Sequence, residues 1–123
     1  MKIITTYPLT FGYKSILKTH WLNGKMPTVT HGIYGSELTK DNVTLEHLKP
    51  HSKGGKTELK NLALSKNANN WSRSNKPIGE FLTKEAFEQY CEQFKGIKLP
   101  FFNGDDYIKQ ITKTITKLLK EEK

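Results

Sequence analysis

At 123 residues and 14.1 kDa the chain has the size of one domain, enough for a real core and too little for two independent ones. Nineteen lysines stand beside one arginine, Arg73, and the formal charge is +8, a balance that favours polyanionic partners, with a solubilising lysine coat as the plain alternative. The single cysteine, Cys91, excludes an internal disulfide and any zinc site built from paired CxxC knuckles, and no apolar run approaches the roughly 18 residues of a membrane span.

The opening stretch MKIITTYPLTFG has neither a long apolar region nor a small-residue cleavage pattern, so the expectation is a soluble, intracellular, cytoplasmic protein without a membrane partner. In residues 13 to 21, Tyr13, Ile16, Leu17 and Trp21 recur at helical spacing and predict a short amphipathic helix before the turn signal Asn23-Gly24. His20 falls off that stripe and reads as a surface residue. From Met26 to Gly35 the glycines and β-formers predict a hairpin or loop leading to a turn at TKDN, with His31 as a loop or structural histidine.

Residues 43 to 47, VTLEH, have strand character, and residues 60 to 64, KNLAL, predict a second strand after a long glycine-containing loop. A helix over residues 65 to 74 follows, with Ser65 as candidate cap and an end forced before Pro77. Over residues 78 to 94, Phe87, Tyr90, Cys91 and Phe94 mark one buried helical face, which makes Cys91 a core thiol, and Gly96 closes that helix. The last segment repeats the pattern with Ile108, Ile111, Ile115 and Leu118. Its opposite face carries Lys109, Lys113, Lys117 and Lys120, a solvated face that is also able to touch phosphates. The fold class expected is α+β, a single domain over residues 1 to 123. A strand-loop-strand-helix core spans 43 to 74 and a helical extension spans 78 to 121.

Residues 44 to 70 concentrate the chain's chemistry. In order they hold Glu46, His47, Pro50, His51, Gly54, Gly55, Asn61, Leu62 and Asn70, spread over strand, loop, strand and helix. This set resembles the HNH endonucleases, the ββα-metal nuclease family, over about 25 residues, as a small stand-alone member without zinc-knuckle cysteines. The resemblance implies phosphodiester hydrolysis of DNA, double-stranded in the first instance, leaving 5′-phosphate and 3′-hydroxyl ends. His47 is then the general base, one divalent metal, Mg²⁺ or Mn²⁺, is held by Glu46 and Asn70, and Asn61 ties the loop carrying the base to the hairpin.

The chemistry is consistent with those assignments. Cleaving a phosphodiester needs a deprotonated water, a cation to absorb developing charge and a fixed in-line geometry. A neutral imidazole supplies the first, while a carboxylate and an amide carbonyl are hard oxygens suited to Mg²⁺ or Mn²⁺, zinc being a poorer fit. Glu46 departs from the family's more usual Asp, and His51 from its more usual Arg. His51 therefore stands either as a phosphate or transition-state contact or as a plain loop residue. Adjacent strand residues point to opposite faces, so Glu46 and His47 share a site only where the strand ends or twists, which Pro50 favours.

Gly54 and Gly55 permit a plain turn or the close approach of a phosphate. Lys66 and Arg73, one helical turn either side of Asn70, and Lys53 in the loop are candidate nucleic-acid contacts, against the reading of a solvated helix surface. Trp71 reads as packed rather than stacked on a base. A scaffold that binds nucleic acid without cutting it is the alternative function, while phosphate mimicry would need acidic clusters the chain lacks. Sequence or structure specificity, the biological role and the oligomeric state stay open, with Leu99, Phe101 and Phe102 as one candidate self-association surface.

Overall fold

A computed structural model describes residues 16–74 and 76–122; Tyr13, the opening stretch and Asn75 lie outside the described residues. Helix α1 (Ile16–Leu22) precedes strand β1 (Val43–His47), and strand β2 (Leu62–Lys66) runs directly into α2 (Asn67–Arg73). Then follow α3 (Ile78–Phe81), α4 (Lys84–Phe94), a small hairpin of β3 (Lys98–Leu99) and β4 (Phe102–Asn103), and the long α5 (Gly104–Glu121). The architecture is α+β. β1 and β2 pair antiparallel with Glu46 opposite Ala63 and His47 opposite Leu62, and β3 and β4 form a second antiparallel pair.

β1 occupies the expected residues. β2 begins two residues later than expected, because residues 59–61 are used up in a tight 3-10 turn whose Asn61 N–H donates to the Glu58 carbonyl. Ser65 does not cap α2: it is the fourth residue of β2, fully buried, and its hydroxyl donates to the Lys66 carbonyl. The helix over 78 to 94 is two helices. Thr83 breaks it by turning extended and accepting a hydrogen bond from the Ala86 amide, which starts α4 afresh. The carboxylate of Glu122 reaches back to accept from the Ile78 and Gly79 amides at the start of α3.

The core is one apolar cluster around β2, filled by Leu17 from α1, Ile33 and Leu38 from the 23–42 segment, Tyr90 and Phe94 from α4, and Tyr107 and Ile111 from α5. His20 belongs to this interior, correcting its reading as a surface residue: it is 6% exposed and its Nε2 bonds the Pro100 carbonyl at 2.9 Å. The amphipathic stripe left it outward, but the β3–β4 hairpin covers that side with a carbonyl acceptor. Phe102 is buried too, so Leu99, Phe101 and Phe102 do not form one exposed apolar surface. Burial pushes the Cys91 thiol up to about 11, in keeping with an inert packing group. No helix among the described residues is long and apolar enough to cross a membrane.

The side of β2 facing away from β1 has no strand neighbour among the described residues, and side chains take over its backbone bonding. Tyr107 donates its phenol to the Leu62 carbonyl at 2.7 Å, the Tyr90 hydroxyl accepts from the Leu64 amide at 2.9 Å, and the two phenols meet at 2.8 Å. The Leu64 carbonyl accepts from the Ile33 amide. Both tyrosines are deeply buried, and desolvation drives their ionisation well above its ordinary range, so they serve as neutral hydrogen-bonding groups. Tyr107→Phe strands the Leu62 carbonyl and removes the acceptor of Tyr90. It is expected to cost about 1–3 kcal/mol in urea unfolding, whereas Trp71→Ala on the surface stays within about 0.5 kcal/mol.

Candidate active-site cleft

The end of β1, the loop after it and α2 enclose a cleft of about 280 Å³ lined by Leu45, Glu46, His47, Pro50, His51, Ser52, Asn70 and Ser74. Four of the residues singled out from sequence therefore meet in one place: Glu46, His47, His51 and Asn70. β1 ends at His47, and the chain turns at Pro50 into a 3-10 turn (His51–Lys53), which lets consecutive side chains border one cavity.

Asn61 holds the loop. Its Oδ1 accepts from the Lys49 amide at 2.8 Å, and its Nδ2 donates to the carbonyls of Lys49 at 3.1 Å and Lys56 at 2.9 Å. One buried amide thus fixes both flanks of the 49–56 segment. Gly54 sits at φ +92°, and a Cβ on Gly55 would lie 1.8 Å from the Lys49 carbonyl oxygen, so both glycines are needed for the loop's own closure.

His47 is half-buried. Its Nε2 lies 2.9 Å from the Thr57 hydroxyl, and its ring meets His51 edge-on at 6.0 Å between centroids. Burial first, and then the neighbouring His51, hold its ionisation below the ordinary imidazole value of 6.5, with Glu46 opposing. At neutral pH His47 is therefore an uncharged proton acceptor. His51 itself is exposed at the rim.

Glu46 is 7% exposed and locked: Tyr34 donates its phenol to Oε2, and Arg73 donates Nη1–H to the same oxygen at 2.9 Å. Tyr34 is held neutral, its ionisation raised by burial and by the adjacent carboxylate. No hydrogen bond among the described residues falls on Oε1. Asn70 donates Nδ2–H to the Leu45 carbonyl at 3.3 Å, while its Oδ1 is buried and has no hydrogen-bond partner among the described residues. A buried carbonyl oxygen without a partner costs about 1–3 kcal/mol unless something outside the chain satisfies it.

Arg73 is not at the surface. Only 1% exposed, it donates to the carbonyls of His47 at 3.0 Å, Leu48 at 2.9 Å and Lys76 at 2.9 Å as well as to Glu46. Its donors point inward, which removes it as a phosphate contact. Helical spacing puts it on the face of Asn70, and β1 and its loop lie across that face at the C-terminal end of α2 and supply acceptors. Lys66 ends β2 rather than lying inside the helix, and Lys53 is exposed in the loop. Trp71 is 78% exposed, the reverse of the packed position expected. Sequence reasoning missed Tyr34 and Thr57, each 10 or 12 residues from its partner with no local spacing to signal the contact.

The donor set fits a hard divalent cation: Asn70 Oδ1 has no partner, Glu46 keeps one oxygen outside its clamp, and both residues line the same cleft. No group of three or more His, Cys, Asp or Glu side chains suited to a metal occurs among the described residues, and a pair of one carboxylate and one amide is not of that kind. The guanidinium beside Glu46 offsets much of its charge, so a cation held there would need further oxygens from outside the chain.

Arg73→Met leaves Glu46 buried without its cation and is expected to cost about 3–5 kcal/mol in urea unfolding, while the joint change Glu46→Gln with Arg73→Met loses much less than the two single changes added. A loss under about 1 kcal/mol for Arg73→Met would show that the pair carries no weight. Compared with family models, with curated proteins and with solved structures, the chain finds no match.

Proposed function

We propose that the chain is a metal-dependent endonuclease of the HNH type that hydrolyses DNA phosphodiester bonds in the cleft at the end of β1. The observation that carries this reading is the buried Oδ1 of Asn70, without a hydrogen-bond partner among the described residues, on a side chain that lines the same cavity as a neutral-leaning histidine. A purely structural asparagine would have both ends of its amide satisfied.

In this reading His47 removes the proton from the attacking water. With the Nε2–H tautomer donating to Thr57, the ring would be fixed and the Nδ1 lone pair left for that proton. A positioned base of this kind contributes about 10² to 10⁴ in rate. Glu46 and Asn70 would hold the divalent ion, Mg²⁺ or Mn²⁺, which when bound neutralises charge developing on the phosphoryl oxygens. Asn61, Tyr34 and Arg73 act through others: the first sets the loop, the latter two aim the carboxylate. His51, which lines the cleft, would contact a phosphate in this reading.

One observation favours the runner-up, a DNA-binding scaffold without cleavage. The Glu46 carboxylate already has a cationic partner in Arg73 and so attracts a metal less strongly than a free one. Supercoiled plasmid incubated with Mg²⁺ or Mn²⁺, with chelator, and with the His47→Ala variant separates the two. Metal-dependent nicking that falls by at least about 10² in the variant supports the enzyme. Equal cutting by the variant removes His47 as base, and retention of DNA without cutting favours the scaffold.

The acid limb of kcat/KM is expected below 6.5, because protonation of His47 abolishes the base and its ionisation is depressed, so activity lies on its plateau at neutral pH. An acid limb above 6.5 would contradict the depressed imidazole. Asn70→Asp places a carboxylate at the partnerless oxygen and is expected to tighten Mn²⁺ binding about tenfold by isothermal titration, without reference to activity; unchanged affinity would mean that this oxygen does not face the ion.

A further inference from the structure

A groove of about 460 Å³, larger than the cleft, lies between the 49–61 segment and α5. One wall carries Lys49, Lys56 and Lys60, the other Lys113 and Lys117. At its floor the Thr114 hydroxyl donates to the Lys60 carbonyl at 2.7 Å, which ties the two walls together. Two glutamates also line it. Glu58 lies 3.9 Å from Lys60, an exposed pair of little strength, and Glu121 stands at the far end of α5. Five ammonium groups against two carboxylates leave the groove positive, and its concave walls concentrate that field.

One loop borders both the groove and the cleft. Lys49, Gly54, Gly55 and Lys56 face the groove, while Pro50, His51 and Ser52, within the same loop, face the cleft. Asn61 fixes that loop from both flanks, so the two concavities keep a constant relation. We propose that the groove is a track for the phosphodiester backbone of a nucleic acid, engaging phosphates away from the cleft; only the identity of the polyanion rests on the nuclease reading. Lysine suits this task, since an ammonium on a flexible stem meets a row of phosphates as point charges without demanding one geometry. A concave, two-walled channel fits a chain of phosphates better than a flat bilayer. The lysine face of α5, read from sequence as solvated or phosphate-touching, is thereby divided: Lys113 and Lys117 line the groove, Lys109 and Lys120 do not.

That division supplies the test. Lys113→Gln with Lys117→Gln is compared with Lys109→Gln with Lys120→Gln, which removes the same charge from the same exposed helix surface outside the groove. Binding of a fluorescent DNA duplex is measured by anisotropy across a salt series, with circular dichroism confirming the fold. The groove pair is expected to lower the slope of log affinity against log salt by about 2, and the control pair by less than half of that. Lys56→Gln, on the opposite wall, is expected to lower it by about 1 and tests the groove independently of α5.

Equal slope losses in the two pairs would overturn the groove and leave a general lysine coat. Retention on vesicles of phosphatidylserine and phosphatidylcholine without DNA binding would overturn it in favour of a membrane surface. His47→Ala is expected to keep the full slope. A groove-specific slope with no nicking under any metal means that the nuclease reading fails and the groove stands, whereas metal-dependent nicking with equal slopes means the reverse.

Discussion

The arrangement around the cleft depends on one buried guanidinium. Arg73 sits at the end of α2 and reaches the carboxylate of Glu46 on β1, the carbonyls of His47 and Leu48 where the strand stops, and the carbonyl of Lys76 beyond the helix. The Leu48 and Lys76 carbonyls lie outside regular secondary structure, and that of His47 stands at the last residue of β1. A lysine could not replace Arg73, because three donors on a point charge cannot span acceptors that a planar fork with five N–H groups meets together. Burying a charge costs several kcal/mol, and only the paired carboxylate and the full set of acceptors offset that cost.

The same pairing sets the electrostatic character of the cleft. A carboxylate held by a phenol and a guanidinium is well oriented but partly neutralised, so the cavity is less acidic than its sequence suggests. His47 experiences the result: burial and His51 outweigh the pull of Glu46, and the imidazole stays uncharged at neutral pH. Orientation and basicity thus come from different neighbours. The hairpin fixes where His47 is, the desolvation around it fixes its protonation, and Asn61 fixes the loop that borders both.

Much of the scaffold was legible in the order of residues, and the misreadings share one origin. β1 was readable because VTLEH alternates and is bounded by a turn and a proline, and the end of α2 because proline excludes the helical region before it. Asn61 was legible only through the resemblance, yet its three bonds to the loop backbone are there. The break between α3 and α4 could have been seen in Thr83, three residues before the amide it accepts from. Helical spacing put Arg73 on the face of Asn70, where it turns inward onto β1 instead of outward to a phosphate, and His20 and Trp71, read from the same kind of spacing, exchanged outside for inside. Spacing says which residues share a face of a helix, but α2 is seven residues long and its surroundings are settled by chain 25 to 40 residues away. Tyr34 and Thr57 are invisible for the same reason.

The tyrosine pair along β2 has a consequence for how this molecule meets copies of itself. A two-stranded sheet ordinarily offers its open side to any extended peptide that can complete the ladder. Here the Leu62 carbonyl, the Leu64 amide and the Leu64 carbonyl are already taken by Tyr107, Tyr90 and Ile33, deep under two helices. Strand exchange or donor-strand capture at that edge is closed off, so a second copy cannot extend the sheet from β2.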